Sequence, residues 1–286
     1  MKVRHLLRQY EQGERNFSRM DLSGADLQGI TLIGVNLKEA NLTGANLSRA
    51  FLTKSDLSGA SLNWTNLNFA KLSGCKFVET DLTKANLSGS FMVDTKLPRS
   101  RMSGAILSYA NLKRANLWGC NLCGSILRKA NLRKANLSGV NLNWANLYEA
   151  RLTGALFYGA SFNGTNLSQT FLKEVDLAGV DLEGVNFSGS RLSGSTLEGA
   201  NLAGANLQGA HLQDVNFQSA NLARANLTGA LFERTNFAGA SWQSVNLGQV
   251  KLESNKRKTL SVETKSSDRR FSDSDLQWSV ANPSAI

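Results

Sequence analysis

The sequence predicts an all-β fold: a parallel β-helix (solenoid) of square cross-section, about 12 coils long, with a short N-terminal helical cap. Three observations predict it. A large apolar residue recurs every five positions from Phe17 to Leu252, 48 times in unbroken register, and it is always Leu, Phe, Met or Trp. Two residues before each of these centres, from Ala25 to Val250, stands only Ala, Val, Ile, Ser, Thr or Cys. Two residues after the centre stands Gly at 23 of the 48 units, which accounts for 23 of the 25 glycines.

Residues 1–15 form the cap. Val3, Leu6, Leu7 and Tyr10 fall on one side of a helical turn or two across residues 3–12. Such a helix covers the first coil, as the ends of repeat proteins require.

Residues 16–254 are the repeats. The unit reads small–Asn/Asp–Leu–polar–Gly, as in Ala200-Asn201-Leu202-Ala203-Gly204. This period fits neither the i, i+3, i+4 spacing of a helix nor the simple alternation of a strand. It fits a very short extended piece with two side chains facing one way, followed by a corner. Gly suits the corner because it tolerates positive φ, but Lys54, Glu79, Arg114, Lys134 and Glu174 fill the same slot, so Gly is not obligatory there. Four such units close one coil. One unit cannot bury its two apolar groups alone, whereas stacked coils can. Twelve coils at the strand spacing of ~4.8 Å predict a rod roughly 55–60 Å long. The outward Asn and Asp columns are placed to bond backbone groups and one another along the stack.

Residues 255–286 lose the register and are rich in Ser and charge, so the expectation is a polar, disordered C-terminal tail. Phe271, Leu276 and Trp278 offer it a means of folding back on the last coil. A last coil left uncovered favours an end-to-end homodimer.

The A(D/N)LXX unit resembles that of the pentapeptide-repeat family over residues 16–254, and the segment from Leu6 to Phe17 resembles the N-terminal cap of cyanobacterial members. The resemblance implies a right-handed quadrilateral β-helix. Members of that family are mostly of unassigned function, and a subset resembles DNA and binds gyrase. That DNA-mimic role depends on a strongly negative surface, and this chain is +10 overall. It also lacks the loop insertions of some gyrase-protecting members.

Composition sets further bounds. No stretch approaches the ~20 apolar residues of a membrane-spanning helix, and no apolar core follows a basic N-terminus as in a secretory signal. Of the three cysteines, Cys75 and Cys120 fall on the inward small position and Cys123 points out, so no disulfide framework is expected and the cytoplasm is the default compartment. The inventory for catalysis is poor. His5 and His211 have no nucleophile or carboxylate partner set. No Cys/His cluster has metal spacing, and no Gly-Lys-Ser/Thr loop is present. The expectation is a non-enzyme with no cofactor and no metal.

The information lies where the repeat departs from its consensus. Sorted by face, one coil at a time, three of the four faces keep Asn or Asp before the centre at most levels. The fourth reads Thr31, Phe51, Lys71, Phe91, Asn111, Asn131, Arg151, Phe171, Arg191, His211, Leu231, Lys251. Its other outward positions add Lys54, Lys113, Arg114, Arg133, Lys134 and Lys173, opposed between residues 51 and 191 only by Asp94 and Glu174. Residues 95–148 hold nine Lys or Arg and no acid, and on the neighbouring face Ile106 and Ile126 replace Asn, with Tyr109, Arg128 and Lys129 beside them. Later coils turn more acidic, with Asp176, Asp181, Glu183, Glu198 and Asp214. The candidate partner-binding set is Phe51, Lys54, Lys71, Phe91, Lys113, Arg114, Arg133, Lys134, Arg151, Phe171, Lys173 and Arg191. Aromatic and Arg side chains together mark interface hot spots, so the expected function is a scaffold or regulatory module for an acidic protein partner. The alternative is electrostatic binding to nucleic acid or an anionic membrane surface, although a straight convex rod cannot wrap a duplex. A bland reading also stands, in which the charges only solvate the surface.

Overall fold

The computed structural model describes residues 2–248 and 251–252. The expected tail, 255–286, and its Phe271, Leu276 and Trp278 lie outside the described residues. Two compact units make up the chain, Met1–Leu167 and Ser168–Ile286.

The first unit opens with helix α1 (Lys2–Glu11). Leu6 is fully buried beneath it, and Val3, Leu7 and Tyr10 are half-buried. The Tyr10 hydroxyl accepts the Ile33 amide at 3.1 Å, which ties the helix to the first repeats. The helix stops at a glycine cap. Gly13 has φ +95°, its amide donates to the Tyr10 carbonyl at 3.1 Å, and the Glu14 amide donates to the Gln9 carbonyl at 2.9 Å. That pair of bonds is the Schellman pattern, which satisfies carbonyls a helix end would otherwise orphan.

From Asn16 onward each outward Asn/Asp position pairs in parallel with the residue four repeats later, from Asn16↔Asn36 to Asn146↔Asn166. The chain therefore returns over itself once every four repeats, as the spacing predicts. Most pairings are single bridges, because each short side spends two residues on its corner and leaves almost no length for a strand. Each side still makes three bonds between coils. The Leu22 amide donates to the Asn41 carbonyl at 2.7 Å, Gly24 donates to Thr43 at 2.9 Å, and Asn41 donates to Met20 at 3.0 Å. A fourth bond, Ala25 amide to Leu22 carbonyl at 3.1 Å, closes the corner. Its third residue has positive φ, as type II turns require. Lys54, Glu79, Arg114 and Lys134 adopt φ +62°, +55°, +59° and +57° in that slot. The coil geometry thus overrides the ~1–2 kcal/mol that an L-residue loses in the left-handed region.

The two inward positions form the core. Leu132 and Ala135 are fully buried, and so are most of their counterparts along the unit, although Met20, Ala25 and Ala160 are half-buried. At several levels where Thr or Cys takes the small slot, it donates to a leucine carbonyl of the coil before: Thr65 to Leu42 at 2.8 Å, Cys75 to Leu52 at 2.9 Å, Cys120 to Leu97 at 2.8 Å. Ser55 also accepts the Val35 amide at 3.1 Å, so its hydroxyl bridges a corner. Outside, Asn side chains do two jobs. The Asn41 carboxamide oxygen accepts the Thr43 amide at 3.1 Å, and its nitrogen donates to Asp21 at 3.2 Å.

The second unit repeats this plan. Bridges run from Phe171↔Arg191 to Asn226↔Asn246, and β1 (Leu231–Phe232) pairs in parallel with β2 (Lys251–Leu252). Its interior carries more aromatic bulk. Phe217 and Phe237 stack with ring centroids 5.2 Å apart, and Trp242 meets Phe237 edge-on at 4.8 Å. Phe237, Trp242 and Leu247 are only half-buried, unlike the centres before them.

Candidate partner-binding surface

The outward column that loses Asn/Asp is continuous in the first unit, where parallel bridges link Thr31, Phe51, Lys71, Phe91, Asn111, Asn131 and Arg151 in turn. Nine of the twelve predicted surface residues stand on this face. Phe51 and Phe91 are exposed, at 44% and 42%. Lys71 is half-buried, with Nζ 3.3 Å from the Phe91 ring centroid. Lys54, Arg114 and Lys134 occupy positive-φ corners and are exposed. Lys113 and Arg133 stand one residue earlier and are half-buried; Arg133 Nε donates to Asn131 at 3.0 Å. Arg151 is exposed.

On the other faces several charges meet opposite charges one coil away. Arg19 meets Glu39 at 2.8 Å, Arg99 meets Glu79 at 3.4 Å, Arg101 meets Asp81 at 3.1 Å, and Lys129 meets Glu149 at 3.4 Å. Arg114 holds Asp94 with two bonds, of 2.7 and 2.6 Å, and this hydrogen-bonding lowers the Asp94 carboxyl below its usual range. The next level breaks the alternation. Lys113 is followed one coil on by Arg133, and Arg114 by Lys134. Four cations therefore occupy adjacent levels of two neighbouring columns, with Asp94 the acid engaged there.

The other three predicted residues belong to the second unit. Phe171 is half-buried with the Arg191 guanidinium 5.0 Å from its ring, and Lys173 pairs with Glu174 at 3.3 Å. Arg191 and His211 line an open depression of about 430 Å³.

Further exposed aromatics stand elsewhere in the first unit: Trp64, Phe69, Trp118, Trp144 and Tyr158. Reading the face column before the centre does not find them. Sorting the glycine slot coil by coil finds Trp64, Phe69 and Trp144, because Trp64 and Trp144 share one corner column, and Phe69 and Tyr109 share the next.

Conventional sites are absent among the described residues. No group of three or more His, Cys, Asp or Glu is placed to hold a metal ion. No helix is long and apolar enough to cross a membrane. Burial raises the thiols of Cys75 and Cys120 to about 12, so both are inert packing groups.

This geometry defines a class: a repeat protein of short, parallel-bridged coils with its variable chemistry confined to outward side chains. The chain belongs to the pentapeptide repeat family. Pentapeptide repeats, in eight copies, match residues 21–59, 60–104, 93–122, 105–143, 115–154 and 135–173, and a pentapeptide repeat region matches 170–247. Among solved structures, the chain is similar to HetL from the cyanobacterium Nostoc sp. strain PCC 7120, described as involved in regulating heterocyst differentiation. Identity is 32% over 79% of this chain and 94% of HetL, with a TM-score of 0.35. A pentapeptide repeat protein of the Arabidopsis thaliana thylakoid lumen is 31% identical over 34% of this chain and 68% of its own, with a TM-score of 0.34. QnrB1, a plasmid-mediated fluoroquinolone resistance protein, is 25% identical over 67% of this chain and 88% of its own, also with a TM-score of 0.34. No curated protein matches the chain.

Proposed function

We propose that this protein is a non-catalytic scaffold or regulatory module whose basic-aromatic face binds an acidic protein partner. The observation that carries this reading is the like-charge stacking of Lys113 on Arg133 and Arg114 on Lys134. Like charges placed directly opposite across a ladder are unfavourable, and several other columns offset the cost with acid–base pairs. A partner's carboxylates would relieve it. Phe51 and Phe91 supply apolar contact on the same face, and Arg151 extends the cation row. Phe171, Lys173 and Arg191 are the second unit's contribution to the proposed set.

Each unit fits a right-handed quadrilateral β-helix, its coils being among the twelve predicted, between a cap of residues 1–15 and a tail of residues 255–286. The cytoplasm remains the proposed compartment, in keeping with two buried, reduced thiols. An end-to-end homodimer through the half-buried Phe237 and Trp242 is a further proposal, read directly by light scattering. The test of the main reading is affinity capture with the wild type and with Lys113, Arg114, Arg133 and Lys134 all changed to Glu. The quadruple variant should lose the acidic partners. Recovery of the same proteins at the same yield would overturn it.

The stacked cations also favour a second reading, electrostatic attachment to nucleic acid or an anionic membrane. It predicts binding at about 50 mM salt that falls steeply as salt rises. Absence of binding to duplex DNA and to anionic vesicles at low salt removes it. The DNA-mimic reading has no support in a surface of this charge.

A further inference from the structure

A second face of the first unit carries a different chemistry. Its central column reads Asn66, Asn86, Ile106, Ile126, Asn146, joined by parallel bridges throughout. The carboxamide ladder is present on either side of the gap: Asn66 donates to Asn46 at 3.2 Å, and Asn166 donates to Asn146 at 3.4 Å. Ile106 and Ile126 interrupt it with two exposed apolar side chains. Both corners flanking this column are aromatic. Trp64 and Trp144 lie on one, Phe69 and Tyr109 on the other, exposed at 61%, 66%, 50% and 64%. These four adopt φ of +62°, +62°, +57° and +61°, and no other aromatic residue among the described residues has positive φ. Bulky aromatic residues are genuine outliers in that region, and such strain gathers where a site needs it.

The rings do not stand up from the surface. A Cβ on Gly89 would lie 2.5 Å from the Phe69 ring, and one on Gly164 would lie 2.3 Å from the Trp144 ring, so each ring lies over the glycine of the next coil. Lys84 sits 4.4 Å from the Trp64 ring centroid, and Lys129 sits 5.7 Å from that of Tyr109. Phe69 and Trp144 are therefore laid flat before any partner arrives, which lowers the ordering cost of binding. A surface that inserts into a bilayer needs rings that project, and these two do not.

We infer that this face docks an amphipathic, acid-rimmed helix of a protein partner, with Ile106 and Ile126 as its apolar centre. Charge complementarity sets the rim. Lys84, Arg128 and Lys129 are basic, and the acid beside them, Glu149, is already held by Lys129 at 3.4 Å. Geometry sets the helix. Coils stacked ~4.8 Å apart lie close to the ~5.4 Å pitch of an α-helix, so a helix along the stack meets each coil with about one turn. The four coils from Trp64 to Trp144 span ~19 Å, the length of about 13 helical residues. The inference is independent of the basic face, whose residues lie on other columns.

The experiment uses the full chain and a fluorescein-labelled model helix of about 14 residues, Leu on one face and Glu on the other. A scrambled Leu/Glu peptide is the control. The variant is Ile106→Asn with Ile126→Asn, which restores the residue that fills this column at neighbouring levels and so preserves the fold; an unchanged melting curve verifies that. Saturable binding of the helix that falls by about tenfold or more in the double variant, without binding of the scrambled peptide, is the expected result. Equal binding by wild type and double variant, or no saturable binding, overturns it. So does loss, in the double variant, of binding to phosphatidylcholine/phosphatidylserine vesicles, which would make the face a membrane contact. The quadruple Glu variant of the basic face should keep the helix, so failure of one proposal leaves the other intact.

Discussion

The coils between residues 60 and 150 and those between 180 and 246 share one backbone and differ almost entirely in what they show to solvent. In the later stretch Asn186, Asn206 and Asn226 form an uninterrupted ladder at 3.4 Å. Asn201 and Asn221 continue another from Asp181 at 2.9 and 3.0 Å. In the earlier stretch Ile106 and Ile126 break the matching ladder, and cations stack on cations. Every exposed large apolar side chain among the described residues lies at or before Tyr158. In the later coils aromatic bulk has moved inward, to Phe187, Phe217 and Phe232. The difference teaches that the inward columns alone specify the coil. The outward columns carry an unbroken carboxamide ladder in one region and lose it in the other, where contact is proposed.

The harshest way to break the comparison is to attack what the two regions share. Leu132→Asp and Leu207→Asp each place a carboxylate where the side chain is fully buried. A buried unpaired charge is among the costliest substitutions known, so each should cost more than about 4 kcal/mol. Chemical denaturation and hydrogen exchange check it. If either variant melted like the wild type, that leucine would not be part of a common core.

Ladder residues should separate the two regions. Asn201 donates to Asp181, accepts from Asn221 at 3.0 Å and accepts the Ala203 amide at 3.3 Å. Asn201→Ala should cost ~1–3 kcal/mol. Ile126→Asn should be close to neutral, because that site gives up apolar exposure and regains a ladder position beside Asn146. Equal losses in the two variants would mean that the isoleucines stabilise the coil, and the contrast between a structural and a released surface would fall.

Much of this was legible in the sequence, and the exceptions have a common cause. The five-residue beat predicts the inward set, the return after every fourth repeat and the tolerance of Lys54 or Glu79 in the corner, because each depends on local spacing alone. The position of Leu6 under the first coil was legible for the same reason. The partnering of surface charge was not. Arg114 reads as a free cation until Asp94, one coil earlier, is seen to bind it with two hydrogen bonds, and Lys71 reads the same way until Phe91 lies beneath it. Nor was the posture of the aromatic rings legible. That Trp144 lies flat depends on the absence of a Cβ at Gly164, a residue in another repeat.

That last relation gives a smaller test. Gly209 has φ +64° with nothing within 4 Å of an added methyl, so Gly209→Ala should cost only the left-handed penalty of ~1 kcal/mol. Gly164 has φ +63°, but there the methyl must displace the Trp144 ring. Gly164→Ala should therefore cost the same backbone term and also shift tryptophan emission, which Gly209→Ala should leave alone. Unchanged emission in Gly164→Ala would mean the ring is not seated as described.

The smallest expected effect concerns the two bidentate pairs, one in each region. Arg114 binds Asp94, and Arg234 binds Asp214 at 2.6 and 2.8 Å. In both, the arginine hydrogen bonds hold the carboxyl below its ordinary value of 3.8. A lowered folded pKa contributes stability above the unfolded value and loses it as pH falls through the folded one. Each pair should therefore add a shallow stability loss below about pH 4, which Asp94→Asn and Asp214→Asn should each flatten. Their salt responses should differ. Losing Asp94 leaves Arg114 beside Lys113 and Lys134 with no acid at hand, whereas losing Asp214 leaves Arg234 still bonded to Glu233. Asp94→Asn should thus be the more destabilising at low ionic strength, and the gap should close near 1 M salt, where the screening length shrinks to ~3 Å. An Asp94→Asn variant no more salt-sensitive than Asp214→Asn would show that the cations of the first unit do not repel one another, and the case for an acidic partner on that face would lose its physical basis.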